Sequence, residues 1–186
     1  MRKTLAPMEF LLDEDFNHAL VGDALLTLQA TDPTLALPAQ KLALAEVRRS
    51  LASFDTDKAL APWRLYDPAQ AYAAGQRIFS TDYGLFWARV DVPAGIVPED
   101  GPFWAAGDNR LPELVDVVMR LTLFSLAQRL ALSTVPAAVE AGVAQARAWL
   151  QAQSAGTAPA LLPRLAGKGL PLIGSMPARA DGRALW

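Results

Sequence analysis

LPELVDVVMRLTLFSLAQRLAL, residues 111–132, is the most apolar run of the chain, and its reading decides the fold class. Its length would suit a membrane span. It carries Glu113, Asp116, Arg120, Gln128 and Arg129, however, and a span of this length tolerates few charges. The run is therefore read as a helix buried among other helices, and no membrane partner is expected.

The segments around it repeat that pattern. Downstream, Pro136 to about Gln153 places Val139, Val143, Ala146 and Leu150 on one helical face, with Ser133 or Thr134 available as a cap. Upstream, Pro38 to Phe54 carries Leu37, Leu44, Val47, Leu51 and Phe54 at helical spacing, with Lys41, Arg48 and Arg49 mostly off that stripe. Leu12 to about Ala30 reads as two short helices separated by Gly22, with Asp13 and Asp23 as caps. The N-terminal MRKTLAPMEFLLDED has an apolar stretch broken by Pro7 and Glu9, too interrupted for a signal peptide.

Residues 62–109 differ in character. Trp63, Trp87 and Trp104 lie here with Tyr66, Tyr72 and Tyr83, among frequent Gly and Pro. Arg77-Ile78-Phe79 and Leu85 to Val90 read as short strands around a Thr81–Gly84 turn. After Gly156 the helical period stops. The remainder is rich in Pro and Gly yet keeps Leu170, Leu172, Ile173 and Trp186, more apolar surface than a disordered tail usually carries. From Arg164 onward four basic residues face one acid, while the first 60 residues hold six basic and nine acidic residues. The expected fold is mainly α. A helical bundle (1–61 and 110–156) is interrupted by a small aromatic-rich β insert (62–109) and followed by an extended C-terminal arm (157–186).

The chemistry-bearing residues are few. The 186 residues include no cysteine and one histidine, which excludes disulfides, thiolate metal sites and a cysteine nucleophile. His18 alone is a poor metal ligand or catalytic base. Asp13-Glu14-Asp15 are adjacent, so on a helix their carboxylates diverge. Gly167-Lys168-Gly169 lacks the spacing and the Ser/Thr of a phosphate-binding loop. No catalytic residue, metal site or cofactor is expected, and the chain is read as a non-enzyme. With 17 basic and 19 acidic residues, net charge −2, it has no electrostatic drive toward nucleic acid.

The order of the segments resembles the head-to-tail connector (adaptor, or head-completion) family of tailed bacteriophages and Mu-like prophages. The matching residues are PAQKLALAEVRRSLASF (38–54), the long apolar helix, and VEAGVAQARAWLQAQSAGTAPALLP (139–163), where Trp149-Leu150, Gly156 and Pro159 form the closest local match; Gly174-Ser175 and Trp186 fit the family's tail. Within the insert, Trp63, Ala71 to Ile78, Phe86-Trp87-Ala88, Gly95, Pro98 and Trp104 resemble the small chitin-binding-type β module, with Gln76 where that module commonly has Asp.

The first resemblance implies a structural virion protein made in the host cytoplasm. It would form a homo-oligomeric ring of about twelve copies beneath the portal. Its partners would be its own copies, the portal and a tail or stopper protein, with DNA passing unbound through the lumen. The arm would dock through Leu170, Leu172, Ile173, Arg179, Arg183 and Trp186. The second resemblance implies an alternative, a carbohydrate-binding protein that uses Trp63, Tyr72, Trp87 and Trp104 as contacts rather than as core.

Overall fold

The computed structural model describes residues 10–12, 15–16, 35–130 and 135–165. Four helices and four strands occur there: α1 (Ala36–Ser50), the single turn α2 (Thr56–Ala59), β1 (Trp63–Leu65), β2 (Arg77–Ser80), β3 (Gly84–Ala88), β4 (Trp104–Ala106), α3 (Pro112–Arg129) and α4 (Ala137–Ala155).

The long apolar run forms the central helix. Along α3, Leu114, Val117, Val118, Leu121, Leu123, Leu126 and Ala127 are buried, which covers nearly the whole circumference. Such a helix needs neighbours on several sides. α1 packs on one side and α4 on another. Thr122 is also buried, and its hydroxyl donates to the Val118 carbonyl at 2.7 Å, so no polar group is left unmatched there. Pro112 suits the first turn of α3, where no intrahelical N–H bond is lost.

α1 meets the core through Val47, Leu51 and Phe54 of the expected stripe together with Ala39, Gln40 and Ala43, which the stripe did not include. Its buried residues are Ala39, Gln40, Ala43 and Val47, continued by Leu51 and Phe54, while Leu42 is 51% exposed and Leu44 only partly covered. Small residues at i and i+4 let two helix backbones approach closely, and the leucines then flank the contact. α4 stops at Gly156, whose φ of +73° is the left-handed cap that glycine adopts without strain. The chain then turns back onto the body. Leu162 enters the core, the Asp55 N–H donates to the Pro163 carbonyl at 2.8 Å, and the Leu165 N–H donates to the Ser53 carbonyl at 2.9 Å.

The insert is a four-stranded mixed sheet in the order β1-β2-β3-β4. β1 runs parallel to β2, in register Trp63 to Arg77; β2–β3 and β3–β4 are antiparallel, and Trp87 pairs with Arg77 on one side and Ala105 on the other. One face builds a separate core from Tyr72, Ile78, Phe86, Ala88, Val92 and Trp104. The Tyr72 and Trp104 rings meet edge to face at 5.4 Å. The Tyr72 hydroxyl donates to the Asp67 carbonyl and accepts from the Asp67 N–H at 2.6 Å. Gly75, at φ +84°, closes the preceding turn, and Gln76 holds it by accepting the Ala73 N–H on its side-chain oxygen.

The expectation of a mainly helical bundle is corrected by this sheet. The molecule is α+β, with a four-stranded mixed sheet beside the helices. Two strands were legible around the Thr81–Gly84 turn. β1 and β4 are three residues each, too short to show an alternating pattern, and they extend the two expected strands of the insert to a four-stranded sheet. The expected caps Asp13, Asp23, Ser133 and Thr134 lie outside the described residues.

Candidate functional site

Two features stand out where the helices meet the insert. The first is a buried ionic junction centred on Arg110, between the last strand and α3. Its Nη1 donates to Asp15 Oδ2 at 2.7 Å and to the Phe10 carbonyl at 2.6 Å; Nη2 donates to Asp15 Oδ1 and Asp108 Oδ2; Nε donates to Asp108. The guanidinium lies over the rings of Phe10 and Trp63, 5.5 and 5.6 Å from their centroids. Burial alone would push the Arg110 pKa down. The hydrogen bonds to Asp108 and Asp15 outweigh it and hold the pKa above its ordinary value.

Arg77, the other buried arginine, ties the two ends of the insert together. Its Nη1 donates to the carbonyls of Ala59 and Ala61, and its Nε donates to Asn109 Oδ1 at 2.6 Å. Burial lowers its pKa to about 10, Asp108 opposing and Arg110 adding to the effect, so it stays charged at neutral pH. Two arginines and two aspartates thus balance in charge at the junction. Trp63 Nε1 is buried without a hydrogen-bond partner among the described residues.

The second feature is a groove of about 770 Å³ between α3 and α4. Its floor is apolar, formed by Val115, Met119 and Leu123 with Val139. Arg120 bridges the two helices, donating from Nε to Asp116 Oδ2 at 2.7 Å and from Nη1 to Gln145 Oε1 at 2.8 Å. Gly142 lies beside it: a Cβ there would stand in van der Waals contact, 3.4 Å from Arg120 Nη1. Asp15, Asp108 and Arg110 form the end of the groove next to the junction.

The charged groups of both features are paired with one another, and the walls between them are apolar. Among the described residues, no three His, Cys, Asp or Glu side chains converge to hold a metal ion, and no helix is long and apolar enough to cross a membrane.

No protein-family model, curated protein or solved structure matches the chain.

The residues singled out from sequence fall into three groups. Leu170, Leu172, Ile173, Arg179, Arg183 and Trp186 of the arm lie outside the described residues, as does His18. Trp63, Tyr72 and Trp104 are buried, at 4%, 3% and 1% exposure, so they serve as core and do not form an exposed row for sugar stacking. Trp87 is half-buried on the outer face of the sheet with Leu65, Phe79 and Leu85. The junction arginines were not singled out. Arg110 bonds Asp15 and Phe10 across 95 and 100 residues, and nothing local marks such a partner.

Proposed function

We propose that the chain is a subunit of a ring-shaped head-to-tail connector of a tailed-bacteriophage virion, seated beneath the portal and forming part of the DNA channel. The supporting observation is the nested order of the fold. One helical core is assembled from residues on either side of a β module that has its own core: Phe10, Leu11 and α1 with its following turn before it, and α3, α4 and Leu162 after it. The connector resemblance rests on this same nesting. The work is mechanical: helical bodies pack side by side through unlike surfaces, and the rotation between them closes a ring. A chain of net charge −2 lets DNA pass without gripping it. The arm residues Leu170, Leu172, Ile173 and Trp186 supply apolar anchors, and Arg179 and Arg183 supply charge, for ordering against the portal or a neighbouring copy.

Native mass measurement of the purified chain, alone and mixed with a portal protein from the same source genome, tests this. The expected result is a ring-sized oligomer or a portal-bound complex. A chain that stays monomeric and leaves the portal unbound removes the reading.

A further inference from the structure

The helical core and the core of the insert share no residue, and the buried Trp63 belongs to neither. Among the described residues, the side-chain hydrogen bonds between the insert and what flanks it come from two arginines. Arg77, on β2, grips the Ala59 and Ala61 carbonyls on the entering connection and Asn109 on the leaving one. Arg110, at the end of the leaving connection, lies over Trp63 of β1 and reaches Asp15 and the Phe10 carbonyl. Phe10 carries the contact on to α1, its N–H donating to Oε1 of the buried Gln40 at 2.9 Å. A chain of directional contacts thus runs from the sheet to α1. Apolar burial has no preferred direction, whereas a guanidinium fork fixes its partners in a plane. The orientation of the insert is therefore set by the two arginines rather than by a shared core.

The connections themselves are short and lie outside helix and strand, at Ala61–Pro62 and from Gly107 to Leu111. Gly107 has φ +98° and nothing within 4 Å of where a Cβ would stand. We propose that the β module is a hinged head, latched to the helical body by Arg77 and Arg110, which turns about these two connections when the latch is released. Turning changes what the sheet presents. Trp63 and Ala105, buried at the junction, share a sheet face with Leu65, Phe79, Leu85 and Trp87, which are exposed or half-buried. An unlatched head offers all six as one apolar face. The device works within a single copy and does not rest on the ring reading.

The chain has no cysteine, so paired cysteines place spin labels at chosen sites. Ala45→Cys with Asp82→Cys spans exposed positions on α1 and the β2–β3 turn; Ala45→Cys with Ala148→Cys spans α1 and α4 as a control within the body. Distances are measured in the full chain by double electron–electron resonance. The expected result is one narrow distance between positions 45 and 82, which broadens and shifts in Arg77→Met and, to a lesser extent, in Asn109→Ala. The distance between positions 45 and 148 should stay unchanged in both. Asn109 is exposed, so its variant decides the matter if Arg77→Met does not fold. A distance between 45 and 82 that is already broad in the unsubstituted chain, or that no folded variant changes, overturns the proposal. Equal broadening of the control distance overturns it too, because the arginines then hold the body together rather than orient the head.

Discussion

The Arg110 guanidinium has five N–H donors, and all five are used, on two carboxylates and one carbonyl. Its side chain is 2% exposed and its Asp15 partner 12%. Truncating one member of a buried pair strands the others, which costs about 3–5 kcal/mol. Arg110→Ala is therefore expected to lower stability by about that amount, measured as a shift in the urea unfolding midpoint. Arg110→Lys should recover little, because an ammonium cannot reproduce the planar fork. The Arg147–Glu46 pair is the internal control. Its side chains are 51% and 34% exposed, and Arg147→Ala should cost about 1 kcal/mol or less. A second residue-scale prediction concerns Gly156. At φ +73° an alanine is strained by about 1–2 kcal/mol, and its Cβ would stand 3.0 Å from Arg164 Nη2. Gly156→Ala should therefore destabilise the C-terminal end of α4, and hydrogen exchange should show faster opening at Leu162 to Leu165 than in the core of α3.

At the scale of elements, the helices were legible and the sheet was only half so. α3 stood out because its apolar run has no polar face wide enough for a surface helix. The end of α4 was marked by Gly156, and the β2–β3 turn by Thr81 to Gly84. α1 was legible as a helix, and Val47, Leu51 and Phe54 of its expected stripe are buried, but the equally buried Ala39 and Ala43 are not marked by leucine spacing. Which neighbour comes near enough to need alanine is a tertiary property that periodicity does not carry. The same holds for β1 and β4, whose partners make them strands, and for Arg77 and Arg110, whose partners are remote in sequence. The alanine contact gives the element-scale prediction. Ala43→Leu should overpack the buried face of α1 and lose about 1–3 kcal/mol in thermal or urea unfolding. Leu42→Ala, on the exposed side of the same helix, should change stability by about 0.5 kcal/mol or less. Equal effects at the two positions would mean that the helix is rotated from the orientation described.

At the scale of the whole molecule, the structure moves the boundary between body and arm. A tail beginning at residue 157 was expected. Residues 157–165, however, are held to the body by Leu162 in the core, by the Asp55–Pro163 and Leu165–Ser53 backbone bonds, and by the Gln153 side-chain amide donating to the Pro159 carbonyl at 3.0 Å. A truncation at residue 157 would remove a core leucine and expose Phe54, so its failure to assemble would say nothing about docking. A truncation after Leu165 keeps all of those contacts. That shorter chain is expected to retain the helical circular dichroism and unfolding midpoint of the full chain, and to lose both ring formation and portal binding in native mass measurements. Truncation after Gly156 should additionally lower the unfolding free energy, by about the 2–5 kcal/mol that a buried leucine contributes in a packed core. If the chain ending at Leu165 still assembles on the portal, the segment beyond it is not the docking element, and the contacts between subunits must be sought on the helical bodies themselves.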